Sequence, residues 1–166
     1  MRLIIHDLTP EQENSLLTPD DNTRVIGDDG SIRPCVGCFG CWIKSPGECV
    51  IRDRYADIGS LLGHCDELVL ISRCCYGGFS PFVKNVLDRS ISQLHPYFSI
   101  RNGEMHHKMR YPHALRVRAY FYAEGIAEQD KTLARSLMQA NAINYCADVE
   151  KVEFAKTPEA FGGKII

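Results

Sequence analysis

The stretch that most constrains this 166-residue chain runs from residue 67 to residue 89. It opens with Glu67-Leu-Val-Leu-Ile71, a short and nearly continuous apolar run, as in a parallel strand covered on both faces. A Gly77-Gly78 pair follows, and then Ser80-Pro81, which reads as a helix N-cap with proline at the first helical position. Phe82, Val83, Val86, Leu87 and Ile91 then recur at helical spacing. A buried strand that turns at once into an amphipathic helix is half of a βαβ unit.

The rest of the chain repeats this alternation. Arg2–His6, Thr23–Ile26, Leu115–Tyr122 and Val152–Phe154 read as further strands. Tyr55–His64 and Ala127–Ala142 carry helical apolar spacing. Strands alternating with helices predict an α/β domain with a parallel sheet and right-handed crossovers. No repeat, low-complexity tract or linker divides residues 1–166, so a single domain is expected. Residues 94–114 fit no element and read as an excursion loop, of the kind that serves function or oligomerisation. The loop holds His95, His106, His107 and His113, either as solvated or packed side chains or as a histidine metal site.

Composition narrows the function classes. Hydrophobic residues at 45% and charged residues at 24% are globular values, and a net charge of -2 predicts attraction neither to nucleic acid nor to an anionic membrane. No apolar run approaches the ~18 residues of a membrane span. Met1–Asp7 is too short for a signal peptide before acidic residues intervene, so a cytoplasmic protein is expected.

Eight cysteines are unevenly placed. Cys35, Cys38, Cys41 and Cys49 share one loop with Gly37 and Gly40; Cys74 and Cys75 adjoin; Cys65 and Cys146 stand alone. Four thiolates in one loop suit a [4Fe–4S] cluster, tetrahedral zinc, or free and oxidisable thiols packed among glycines. Cys74-Cys75 is a second redox candidate, although adjacent cysteines rarely form a relaxed disulfide with each other.

Two segments carry a family resemblance: Cys35-Val-Gly-Cys38-Phe-Gly-Cys41-Trp42 through Cys49 to Asp53, and Ser72-Arg-Cys-Cys-Tyr-Gly77-Gly78-Phe-Ser80 through Lys84 to Asp88-Arg89. Together they resemble the NADPH-dependent FMN reductases, and within them the branch that includes the iron–sulfur flavoproteins. The resemblance implies a flavodoxin-like three-layer sandwich whose five-stranded parallel sheet has the order 2-1-3-4-5, with its ligand crevice at the carboxyl ends of strands one and three. It also implies FMN, with NAD(P)H as co-substrate and a small-molecule electron acceptor or an iron–sulfur centre downstream. The ring would rest on Arg73, Cys74, Cys75, Tyr76, Gly77 and Gly78, with Glu124 and Gly125 closing the other side. Backbone N–H groups of Cys75–Gly78 would face N1/N5. The four clustered cysteines would hold the metal, and a homodimer would bury part of residues 94–114. The flavin carries the chemistry, so no side chain is nominated as catalytic.

This chain departs from the family at several points. Arg73 replaces a proline, Cys75 stands where tyrosine is usual, and Glu124 is unfavourable beside an anionic reduced flavin. Strand one runs directly into Asp7-Leu-Thr9-Pro10-Glu11-Gln12-Glu13-Asn14-Ser15. Thr9 and Gln12 have capping-box spacing, and Pro19 limits the helix, so a shortened first helix is expected. Its amino end suits phosphate poorly: Pro10 lacks a donor, Thr9 caps another, Glu11 and Glu13 occupy the dipole, and Asp7 repels. Thr9, Asn14 or Ser15 would have to reach the FMN phosphate. The alternative reading is a flavin-free binding or thiol redox-sensing module that has lost the phosphate loop.

Overall fold

The computed structural model describes residues 1–112 and 114–165; His113, one of the four histidines of the 94–114 segment, lies outside them. In chain order the elements are β1 (Arg2–His6), α1 (Pro10–Leu16), β2 (Thr23–Ile26), the single turn α2 (Gly40–Ile43), α3 (Ile58–His64), β3 (Glu67–Arg73) and α4 (Pro81–Arg89). After a 3₁₀ turn (Ser90–Gln93) come β4 (Leu94–Arg101), β5 (Glu104–Met109), β6 (Leu115–Tyr122), α5 (Glu128–Tyr145), β7 (Ala147–Ala155) and a C-terminal 3₁₀ segment (Pro158–Lys164).

β3 organises the sheet. Its residues from Glu67 to Ser72 are all buried, and it pairs in parallel with β1 on one side and β6 on the other. β2 extends the sheet beyond β1 and β7 beyond β6, giving the parallel order β2-β1-β3-β6-β7. This is the flavodoxin-like order that the family resemblance implies, its fourth and fifth strands being β6 and β7.

The period-two alternation of the strands divides the core into two layers. Leu3, Ile5, Leu68, Leu70, Val117 and Phe121 face α3, α4 and α5. Ile4, Val69, Ile71 and Tyr120 face a thinner cover of Leu8, Leu17 and the C-terminal Phe161 and Ile165. The thin side follows from the short α1, whose seven residues include none that is buried. Among the described residues, no helix is long and apolar enough to cross a membrane.

Three expectations are corrected. Residues 94–114 are mostly not an excursion loop, because β4 and β5 form an antiparallel hairpin. Its turn is Asn102-Gly103, both at positive φ (51° and 85°), the backbone that matches strand twist in two-residue hairpins. Its strands lack clean apolar alternation, which hid them. The last strand spans Ala147–Ala155 rather than Val152–Phe154, since an edge strand carries polar residues such as Asp148 and Glu150 on its open side. The third helix begins at Ile58 rather than Tyr55, which lies in the preceding turn.

Two glycines let α3 lie flat against its neighbours. A Cβ at Gly59 would overlap the Ser92 hydroxyl, and one at Gly63 would overlap the Tyr111 ring. Gly63→Ala is therefore expected to destabilise the fold by about 1–3 kcal/mol through overpacking. A urea midpoint equal to that of the parent chain would contradict this contact.

Candidate functional site

The expected crevice lies where β1, β3 and β6 end, and an internal carboxylate spans it. Asp7 directly follows β1 and accepts the Arg73 N–H with both oxygens, at 3.2 and 3.0 Å. The Tyr122 hydroxyl, at the end of β6, donates to the same carboxylate at 2.9 Å. Burial pushes the Tyr122 hydroxyl pKa up, and the neighbouring Asp7 charge pushes it further. The exposed Arg73 guanidinium lies beside the Cys75 thiol and, more weakly, Asp7, and both hold its pKa above the ordinary value.

The start of α1 is closed by its own side chains. Thr9 Oγ1 accepts the Gln12 N–H at 3.3 Å, and Gln12 Oε1 accepts the Thr9 N–H at 3.1 Å, the reciprocal capping box expected from the sequence. The Leu8 N–H goes to His6 Nδ1 at 3.1 Å. Glu11 takes its own N–H and the Thr9 hydroxyl, which hold its carboxyl below the usual range. Asn14 and Ser15 are exposed, and the Ser15 hydroxyl donates to the Gln12 carbonyl at 3.1 Å.

The turn after β3 is tight. The Cys75 N–H donates to the Gly78 carbonyl and the Gly78 N–H to the Cys75 carbonyl, each at 2.9 Å. Tyr76 and Gly77 between them take positive φ, 52° and 73°. Gly77 is packed on α5: a Cβ there would lie 2.9 Å from Leu133 Cβ and 3.0 Å from the Asp130 carbonyl. The Gly77 N–H faces the Cys74 thiol, whose pKa burial raises. Two of the four N–H groups expected for a ring are thus paired within the turn, and a third faces a thiol. The Tyr76 ring projects into solvent, 95% exposed. Glu124 and Gly125 sit farther along the edge, where Gly125 lines a shallow cavity of about 220 Å³ with Lys131, Phe154 and Lys156. The crevice thus gathers Asp7, Arg73, Cys75 and Tyr122, but not Asn14 or Ser15.

The clustered cysteines lie near the other end of α4. Cys35, Cys38, Cys41 and Cys49 all line one small cavity of about 60 Å³, whose wall includes Arg89, the last residue of α4. Cys35 and Cys38 are exposed, Cys41 half-buried and Cys49 buried. Burial raises the Cys41 thiol pKa first, and the adjacent Cys49, Cys35 and Cys38 add to it. Among the described residues, no three His, Cys, Asp or Glu side chains converge closely enough to ligate a metal ion. Gly37 takes positive φ (64°). Gly40 serves close approach instead, because a Cβ there would lie 2.6 Å from Val50 Cγ1.

Arg89 holds this loop in place. It is 1% exposed and pairs with both Asp53 oxygens, at 2.9 and 2.8 Å. It also donates to the carbonyls of Arg33 (2.8 Å) and Ile51 (3.2 Å). Its Nε has no hydrogen-bond partner among the described residues. A line of rings ties the loop to the hairpin: Phe39 and Trp42 at 5.2 Å, Trp42 and His107 at 4.8 Å, His107 and Phe98 at 4.6 Å. Trp42 Nε1 donates to the Leu94 carbonyl at 3.0 Å. Two of the loop histidines are hydrogen-bonded: His107 Nδ1 lies 2.9 Å from the His95 carbonyl and His106 Nδ1 lies 3.1 Å from Asn144 Oδ1. Of the lone cysteines, Cys65 is buried, its pKa pushed up to about 12 by burial, and Cys146 ends α5 at positive φ (51°).

Sequence reasoning missed Tyr122 as a partner of Asp7, and Trp42 and His107 as loop anchors. It quoted Asp53 and Arg89 without pairing them. No local signal joins residues so far apart; only paired acidic and basic motif positions hinted at the last contact.

No family model matches the chain. An iron–sulfur flavoprotein of Methanocaldococcus jannaschii is 35% identical over 96 residues, covering 57% of this chain and 48% of that protein. The chain therefore spans about half the length of the curated relative it matches. Among solved structures, the Trp repressor binding protein from Bacillus subtilis superposes with a TM-score of 0.50 at 15% identity, over 99% of this chain and 90% of that one. An FMN-dependent NADH-azoreductase from Bacillus anthracis, in complex with FMN, superposes with a TM-score of 0.53 at 9% identity, over 99% and 88%. The fold is flavodoxin-like, and the likeness to iron–sulfur flavoproteins is one of sequence.

The Arg89 pair makes the loop sensitive to acid. The Arg89 hydrogen bonds lower the Asp53 pKa from 3.8 to about 2. A depressed folded-state value means the stabilisation is present above 3.8 and is lost as pH falls toward about 2. Urea unfolding between those pH values is expected to show a steeper loss of stability for the parent than for Asp53→Asn. Parallel pH profiles would remove the pair from the account.

Proposed function

We propose that this chain is an electron-transferring oxidoreductase module of the iron–sulfur flavoprotein kind. In this reading Cys35, Cys38, Cys41 and Cys49 hold an iron–sulfur centre, and FMN and NAD(P)H supply electrons to it or to a small acceptor. The observation that carries it is that Cys35, Cys38, Cys41 and Cys49 all line one cavity, beside the buried Arg89.

The donor set fits such a centre. Four thiolates are the ordinary ligands of a [4Fe–4S] cluster, which would supply one-electron transfer when bound. Their negative charge needs a positive neighbour in a partly buried site, and Arg89 is fixed there with one N–H unpaired. Cys41 and Cys49 are the better-buried members of the set, and Cys35 and Cys38 the exposed ones. Arg89 fixes the loop through Asp53 and the Arg33 and Ile51 carbonyls.

FMN is supported by the relatives, and this chain meets it unevenly. The sheet edge and the turn after β3 are where the fold would place a flat ring. The phosphate end does not fit: Asp7 spans the crevice, and Glu11 and Thr9 close the start of α1. No phosphate contact is assigned there. That misfit favours a second reading, a flavin-free thiol redox module on the same fold. The homodimer expected from the resemblance would use the hairpin in this reading, supported by the exposed apolar side chains Tyr97, Ile100 and Met105.

Anaerobic purification followed by iron and acid-labile sulfide analysis tests the lead reading. About four of each per chain are expected, falling to near zero in Cys38→Ser. An iron-free chain after anaerobic reconstitution would leave only the thiol reading. Flavin titration separates the two at the crevice. FMN is expected to bind no better than riboflavin, and Asp7→Asn to tighten FMN on the order of tenfold by removing a like charge. Tight FMN binding by the parent chain, undiminished relative to Asp7→Asn, would show that the carboxylate does not oppose the phosphate.

A further inference from the structure

One side chain holds both ends of the segment that carries the four clustered cysteines. The Arg89 guanidinium donates to the carbonyl of Arg33, two residues before Cys35, and to that of Ile51, two residues after Cys49. Asp53 accepts one N–H from each terminal nitrogen of the same group. A guanidinium carries five N–H donors. These contacts use four of them, and the fifth, on Nε, has no hydrogen-bond partner among the described residues.

Arg89 is fully enclosed, and Nε itself is closed to water. Its acceptor therefore has to come from what the chain packs against it, not from solvent or a diffusing ligand. An unmet donor on a buried charged group is costly. Cys49 is the buried cysteine of the set and lines the same cavity as Arg89. After Asp53, Cys49 adds to what holds the Arg89 pKa above its ordinary value. A thiol is a weak acceptor, whereas a thiolate takes a charge-assisted hydrogen bond. Thiolate is also the form in which cysteine ligates a metal.

We propose that Arg89 sets the reduction potential of the iron–sulfur centre, its Nε–H donating to the Cys49 thiolate. This role rests on the oxidoreductase reading above. An added electron raises the negative charge beside Cys49. A fixed cation and an N–H aimed at sulfur then stabilise the reduced form more than the oxidised one. Asp53 works against this in part, because its carboxylate sits on the same guanidinium. The two side chains thus move the potential in opposite directions, which a purely mechanical clamp would not do.

The test is a dithionite titration of the full chain, reconstituted anaerobically with iron and sulfide, against mediator dyes. Iron is measured in each sample. Iron-loaded Arg89→Gln is expected to be about tenfold harder to reduce, a potential about 59 mV more negative for one electron. Arg89→Lys keeps the charge but loses the Nε–H, and should fall between Arg89→Gln and the parent. Asp53→Asn should shift the other way, to a more positive potential. It remains a test if the Arg89 variants fail to fold or to load.

An unchanged potential in iron-loaded Arg89→Gln would overturn the proposal and leave Arg89 a structural clamp. An Asp53→Asn chain whose potential stays put or falls would also overturn it. Either result, with iron still bound, leaves the oxidoreductase reading intact. A parent chain that takes up no iron would instead retire that reading, and this role with it.

Discussion

Arg89 is buried at the end of α4, and a buried guanidinium is tolerable only when its charge and donors are met. It meets them with the Asp53 carboxylate and the carbonyls of Arg33 and Ile51. All three belong to the segment between β2 and α3, whose only helix is the single turn α2. A segment with so little backbone hydrogen bonding of its own takes its shape from what it is tied to. One tie is Arg89; the other is Trp42, held by the Leu94 carbonyl and packed at a tilt against His107 of the hairpin. The cysteines sit between these two anchors, so their common cavity is a consequence of the clamp.

α4 thereby separates two chemically opposite regions. Its nine residues span about 13–14 Å at the helical rise. Near its amino end, the crevice is dominated by Asp7, with Glu11 and Glu13 close by on α1. Near its carboxyl end, the cysteine cavity is bordered by a buried cation. An anionic phosphate is opposed at the first, and four cysteines stand beside a fixed guanidinium at the second.

The hairpin shows how a structural element can carry a local signature and still be misread. Asn102-Gly103 is a strong two-residue turn signal, but strands rich in histidine and exposed aromatics do not alternate cleanly around it. Their partner is the cysteine loop rather than the main core, so the usual inward-facing pattern is weak. The turn after β3 shows the converse. Its N–H groups were expected to face a ring, yet Gly77 is packed on α5 and the Cys75 and Gly78 N–H groups pair within the turn.

From the sequence alone came the α/β class, the strand–turn–helix unit of β3 and α4, the Thr9 capping box and the brevity of α1. The grouping of four thiols was equally legible. All of these depend on residues within a few positions of one another, where periodicity, capping and proline act directly. The tertiary structure alone decided that Asp7 meets Tyr122, 115 residues away, and that Asp53 meets Arg89, 36 residues away. It alone decided that Arg89 keeps a donor unpaired beside the cysteine loop. Those contacts are set by which strand ends and helix ends the sheet order brings together, and short-range propensity carries no record of that.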